Sequence, residues 1–445
     1  MLDMPTGMLA LFATARASRS WRISFARTAH LGLHSAAELM VPTVPPSLLV
    51  SRMPGRQTVT AGIWLASGAA HDPEDLAGAT HLVEHLTLRR CGGRDRKALA
   101  RQVDRLGGEV DAWTSSESMA VTAQTTVDAL PEALELLIDA MLEPSFDYED
   151  VELERRVTLA ELELIQDDPT EQVEDAILEA AWGDHPYARP VIGSFETVSA
   201  LTAADLRRHH ARLVEPGRML AAVAGDVTTD DVLARVSRLP LVEVPVAPSL
   251  PPLAWIGRHL RQSRDGIDQV HARIAFEALP AGHPDEAALV VLNRLLGTGA
   301  SSRLFQRLRE DEGLTYDVWS GLGLRRQGGM LEIGWACSTD AFPAAWRVVR
   351  EEIRGAVRPT RDEVDIAREA LMRGLVMDVE SPGGMCSLDV GEVLERGSRF
   401  DLETARAELE AVTPEAVQNI ARQVLRLDRM ASAMYTPAGF VARVA

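Results

Sequence analysis

The run His81-Leu82-Val83-Glu84-His85 is the sharpest chemical signal in the chain. On a helix, positions i and i+4 stack one above the other, so His81 and His85 can offer two imidazoles to one metal ion. Glu84 shares that face, and a carboxylate there can take a proton from water that a metal ion has acidified. The bland alternative is a helix with two surface histidines and a salt-bridging glutamate. A catalytic zinc normally takes three protein ligands and keeps a fourth position open, so a third donor must come from elsewhere. The stretch from Glu149 to Pro169 reads as a helix ended by Asp167-Asp168-Pro169, and Glu154 and Glu161, seven apart, share one of its faces. Spacing alone selects neither from the acids around them.

The elements that must hold these residues follow from the pattern of β-branched and apolar residues. Residues 47–51 and 58–67 read as strands, residues 75–90 and 97–106 as helical, and 109–115 and 119–126 as strands again. A further helix opens at Leu130-Pro131-Glu132, where proline suits the first turn. The unit is mixed α+β. It recurs: Asp128-Ala129-Leu130-Pro131 has a counterpart in Asp340-Ala341-Phe342-Pro343, an offset of 212 residues that also carries His71 onto His283. Between the copies lies a proline-rich connection, Leu239 to Pro252, that opposes helix and central strand. The expected organisation is an N-terminal extension over 1–45, a metal-binding half over 46–239, a linker over 240–256 and a homologous half over 257–445. The offset carries His81 to Asn293, Glu84 to Leu296 and His85 to Gly297, so the second half has no metal set.

Composition excludes several classes. The 445 residues include 46 basic and 65 acidic ones, a formal charge of −19, which argues against nucleic acid and against an electrostatic membrane binder as partners. No window approaches the roughly 18–20 apolar residues of a membrane span, so a soluble chain is expected. Cys91, Cys337 and Cys386 lie far apart without CxxC spacing, which fits a reducing compartment. Lys97 is the sole lysine, a usage that points to a GC-rich, bacterial genome. Residues 1–45 carry Arg16, Arg19, Arg22 and Arg27 with little acid; they read as a disordered extension, with a targeting segment as the alternative. The chain is accordingly expected in the cytoplasm, or in an organelle or exported if that alternative holds.

His-x-x-Glu-His, then Glu161 and Asp167-Asp168-Pro169, resembles the pitrilysin/insulinase family of zinc peptidases, especially its shorter bacterial and mitochondrial-processing-type members. The resemblance implies one Zn2+ per chain held by His81, His85 and Glu161, with Glu84 as general base and Glu154 as the carboxylate that orients the site. The segment from Gly297 to Tyr316 is similar to the family's second-domain stretch in which an arginine and a tyrosine reach the substrate, here Arg309 and Tyr316. By the same resemblance two homologous α+β domains, each an antiparallel-rich sheet with helices on one face, form half of a clamshell. Substrate would add as a strand along Asp111-Ala112-Trp113-Thr114. The chain departs from the family at Asp111, where Asn is usual, at Ala160, and in Leu86-Thr87-Leu88-Arg89-Arg90-Cys91 after the motif; none of these removes a zinc ligand.

The leading expectation is a zinc endopeptidase acting on unfolded peptides or on precursor and leader segments, as a homodimer or as a heterodimer with a related subunit. The rival is a non-catalytic or partner-dependent paralogue acting as a binding or assembly subunit. A closed structural zinc site would need a fourth protein ligand and is disfavoured. Residues 128–179 hold 18 acidic and two basic residues, so a field favouring cationic peptides is expected if these helices line the chamber.

Overall fold

The computed structural model describes residues 46–241 and 244–440. The segment read as an extension or targeting sequence lies outside the described residues. The first half runs β1 (Leu48–Arg52), β2 (Thr58–Leu65), α1 (Ala79–Thr87), α2 (Arg96–Leu106), β3 (Glu109–Thr114), β4 (Met119–Thr126), α3 (Leu130–Leu142), α4 (Tyr148–Asp167), α5 (Pro169–Trp182), α6 (Phe195–Ala200), α7 (Ala203–Leu213), β5 (Met219–Gly225) and α8 (Thr229–Leu233). The second half runs β6 (His259–Arg264), β7 (Gln269–Ala278), α9 (Glu286–Gly297), a π-helix over Phe305–Asp311, β8 (Val318–Arg325), β9 (Gly328–Ser338), α10 (Phe342–Gly355), α11 (Arg361–Val379), α12 (Pro382–Arg396), α13 (Leu402–Glu410), α14 (Pro414–Val424) and β10 (Ala431–Pro437).

Each half builds a five-stranded sheet, in the orders β1-β5-β2-β4-β3 and β6-β10-β7-β9-β8. Among the described strands only β1 with β5 and β6 with β10 pair in parallel. The offset of 212 lands β5 on β10 to the residue and α4 on α11 within one. The repeat is therefore a structural one. Among the described residues no helix is long and apolar enough to cross a membrane.

Strand alternation gives each sheet two apolar faces. In the first sheet, Val59, Ala61, Ile63 and Leu65 pack with Leu82, Val83 and Leu86 of α1 and with Leu134, Leu137 and Ile138 of α3. That is the expected arrangement of a half's own helices. The opposite face, with Leu49, Trp64, Leu220, Ala222 and Ala224, is closed by Cys386, Val390 and Val393 of α12, which comes from the second half. The reverse holds for the second sheet. Its Ala275, Ala431, Ala433 and Tyr435 meet Val173, Ala176, Ile177 and Ala180 of α5, from the first half. The two exchanged helices are related by the repeat.

The Asp167-Asp168-Pro169 run both ends α4 and begins α5, a helix the sequence reading did not separate. Proline disfavours the α conformation in the residue before it and fits the first turn of the helix after it. Asp168 is accordingly extended, with ψ at 109°, and its side chain accepts from the Thr170 amide. The corner lets α4 serve the first half while α5 crosses to the second. Ile177 is fully buried at that crossing. Ile177→Ala is expected to destabilise the protein by about 2–5 kcal/mol, since methylenes are removed from a packed interface. A urea titration that leaves the midpoint unchanged would show that this contact is not a tight one.

Candidate metal centre

α1 sets His81 and His85 one turn apart, with ring centroids separated by 4.7 Å. α4 packs across α1 and brings Glu161 to the same point. One nitrogen from each histidine and one Glu161 oxygen all lie within 4.8 Å of one another. His85 Nε2 faces Glu161 Oε2 at 3.7 Å, while its Nδ1 meets Glu154 Oε2 at 3.2 Å. Donation from Nδ1–H to Glu154 leaves the Nε2 lone pair turned toward the cluster, which is how an outer carboxylate orients a histidine ligand. Glu154 is itself fixed by Arg89, whose Nη1 donates to Oε1 at 2.6 Å and whose Nε donates to Asp150 at 3.0 Å.

The electrostatics suit a cation. Burial, helped by the charge of His85, holds His81 down at about 3, so its ring is neutral at neutral pH and one ring nitrogen has a free lone pair. Its Nδ1 is buried and meets no partner. For His85, burial acts downward, but the bond to Glu154 and the charges of Glu84 and Glu161 outweigh it and raise the group. Burial raises Glu161, with His85 opposing and Glu154 assisting. Glu154 is also pushed up by burial, yet the hydrogen bond from His85 and the charge of Arg89 bring it below its usual value. Glu84 is pushed up to about 7, chiefly by burial; His85 and the Thr114 hydroxyl pull it down, and Asp111 and Glu161 push it up. Three carboxylates thus converge on two imidazoles, with Arg89 as the one permanent counter-charge paired to them among the described residues. A divalent cation relieves that imbalance, and the donor set fits zinc.

β3 borders the same site. Thr114 Oγ1 is buried, and the hydroxyl acts on Glu84 to pull it down. Asp111, Ala112, Trp113 and Thr114 pair with β4 on one side only, and β3 is the terminal strand of its sheet. Its outer edge can accept another extended chain. Arg309 and Tyr316 are placed differently. Arg309 stacks 4.4 Å from the Tyr316 ring and donates to the Tyr316 carbonyl at 2.9 Å, and the tyrosine is 81% exposed. Among the described residues neither makes a hydrogen bond, ion pair or ring contact with His81, His85, Glu161 or Glu84.

In the second half, the positions 212 after Glu154 and Glu161 are Ile366 and Arg373, which adds to the loss of both histidines and the base. At Gly297, the counterpart of His85, a Cβ would lie 2.6 Å from the backbone nitrogen of Ser320. α9 is packed so close to β8 that no imidazole fits there. Sequence reasoning missed Arg89; its signal was its place one helical turn after His85, which puts it on the face that α4 covers. The acidic stretch is also more fully neutralised than its count suggests. Asp139 meets Arg94 and Arg238, Asp150 meets Arg89 and Arg90, Asp167 meets Arg264, and Glu174 meets Arg273.

Residues 48–194 match the model for "Insulinase (Peptidase family M16)", and residues 200–371 match that for "Peptidase M16 inactive domain". A protein of Mycobacterium tuberculosis named an uncharacterized zinc protease is 35% identical over 86% of this chain and 90% of its own. Human mitochondrial-processing peptidase subunit beta is 24% identical over 82% of this chain and 78% of its own. The crystal structure of a peptidase M16 inactive domain from Pseudomonas fluorescens superposes with a TM-score of 0.80 at 21% identity, covering 89% of this chain and 96% of that one. Family models matched across both halves, together with a relative 35% identical over most of both chains, show that the chain belongs to the insulinase (M16) family of peptidases.

Proposed function

We propose that the chain is a zinc-dependent endopeptidase that cleaves unfolded peptides, or precursor and leader segments, held as an added strand. The observation that carries this reading is the convergence of His81, His85 and Glu161 beside Glu84. One zinc ion held by those three residues would polarise a peptide carbonyl and make water acidic enough to lose a proton near neutral pH. Glu84 takes that proton and returns it to the leaving amine. Glu154 keeps His85 oriented. The β3 edge aligns the substrate backbone through main-chain hydrogen bonds, which makes selection by side chain weak. In this reading Tyr316 donates to the developing oxyanion and Arg309 fixes the peptide backbone, which requires their segment to close toward α1.

Incubation of the metal-loaded protein with an unfolded-peptide library, mass-spectrometric mapping of cut sites and a chelator control test the reading. Absence of any chelator-sensitive cut, with and without a related subunit, would refute it. The name of the human relative, a subunit, favours a second reading in which activity needs a partner; a homodimer and a heterodimer then differ in whether the purified chain cleaves alone. Cys91, Cys337 and Cys386 are all buried and no disulfide joins them among the described residues; a cytoplasmic, reducing location is part of this reading because the cysteines are few and widely spaced in sequence.

Two outcomes follow from the local charges. A base must be deprotonated to act, so kcat/KM rises with pH through the Glu84 titration and then levels. Asp111 pushes Glu84 up, hence Asp111→Asn is expected to move that acid limb to lower pH. A limb that stays in place removes Asp111 from the field of Glu84. Cationic peptides should be cut faster than matched acidic ones, with a difference that shrinks as salt rises. Because arginines pair with many of the acids, the preference should be modest; equal rates at low salt would refute it.

A further inference from the structure

We infer that Asp72, together with His209, fixes the rotation of α1 about its own axis and is thereby a positioning residue for the metal site. The inference rests on the metal reading above. Gly78, the residue that opens α1, has φ at 90° and no side chain with which to satisfy the first helical amides. Asp72 serves them from six residues upstream. Its Oδ2 accepts from the Gly78 amide at 3.1 Å and from the Thr80 amide at 3.2 Å, and its Oδ1 accepts from the Thr80 hydroxyl. His209, on α7, brings Nε2 to 3.1 Å from the same Oδ1 and to 2.8 Å from Thr80 Oγ1. The triangle closes with Thr80 donating to Asp72 and His209 Nε2–H donating to both oxygens.

All three side chains are buried, with Asp72 3%, Thr80 0% and His209 4% exposed. Among the described residues no arginine or lysine pairs with this carboxylate, and it is tolerated there because four donors meet it. Thr80 immediately precedes His81, so the anchor acts on the turn that carries the first ligand. A helix with its side chains has a radius of about 5–6 Å, so a rotation of about 10° would move an imidazole by about 1 Å, more than the roughly 0.5 Å a site tolerates. The other end of α1 is held by Arg89 and by the bond between His85 and Glu154. Asp72 is the matching restraint at the beginning.

The repeat separates positioning from plain fold stability. The positions 212 after Asp72, Thr80 and His209 are Pro284, Leu292 and Ala421. The second half, which has no metal set, builds the same sheet and helices without this network. A device needed only for the fold would be expected in both copies.

The experiment is a cobalt titration of the full-length protein in competition with a chelator, read by the visible spectrum of bound cobalt, with circular dichroism as the check of folding. Asp72→Asn keeps the shape but turns an amide donor toward two of the four donors, since each carboxylate oxygen meets two of them. It is expected to weaken cobalt binding about 10–100-fold and to alter the spectrum of the folded protein, the range seen when an outer partner of a metal ligand is lost. Should Asp72→Asn not fold, the pair His209→Gln and His209→Leu decides: glutamine restores a donor and should bind near wild type, while leucine should bind more weakly. Folded Asp72→Asn or His209→Leu protein that binds cobalt with wild-type affinity and spectrum overturns the inference alone. A wild-type protein that takes up no cobalt overturns the metal reading, and this inference with it.

Discussion

Glu84→Gln is expected to lower kcat/KM on unfolded peptides by about 100- to 10,000-fold while leaving metal content unchanged. Glutamine keeps the size and the polar contact with Thr114 but cannot accept the proton. Glu84 is not one of the three converging donors, so its loss need not release the ion. The substitution also removes a buried group raised to about 7, and with it the rise of rate through that pH. Two measurements are needed together: peptide cleavage, and zinc per chain by elemental analysis. A variant that retains zinc and cleaves at the wild-type rate would remove Glu84 from the chemistry.

His85→Ala should be more severe for the ion itself. One donor of three disappears, and so does the bridge that connects Glu154 to the cluster. Affinity is expected to fall by more than the about 10–100-fold that follows loss of an outer partner, and activity with it. Glu154→Gln should land inside that smaller range, since His85 then keeps its ring but loses the carboxylate that orients it. The comparison is made by dialysis against graded chelator, followed by metal analysis. If His85→Ala holds zinc as tightly as Glu154→Gln, His85 does not ligate the ion.

How far these features could be read from sequence differs residue by residue. The triad on α1 is local: a period of 3.6 fixes which side chains share a face, and His81, Glu84 and His85 need no other information. Glu161 is not local. It stands among other acids on α4, and only the likeness to a family singled it out before the structure placed it within 4.8 Å of the histidines. The strands, the order of elements and the offset of 212 were legible because alternation and punctuation by proline and glycine are written along the chain. The corner at Asp168 was legible as a stop but not as a new start, since the same proline chemistry signals both. Asp72 and His209 were silent, and Arg89 showed only its helical spacing from His85. Their roles depend on which helix crosses which, and hydrophobic period reports that a residue is buried without reporting what buries it.

The exchange of α5 and α12 bears on the ancestry and synthesis of the molecule. Trp64 and Leu220 on the back of the first sheet meet their cover only when residues 386–393 have been made, so the N-terminal half emerges from the ribosome with an unfinished interior. A separately expressed half would present that apolar face to solvent and would associate through it. Two identical half-length chains, each passing its equivalent helix to the other, would close both sheets in the same manner, as a domain-swapped dimer does. The present chain has the form of such a dimer joined end to end, with the histidines on one copy and not on the other.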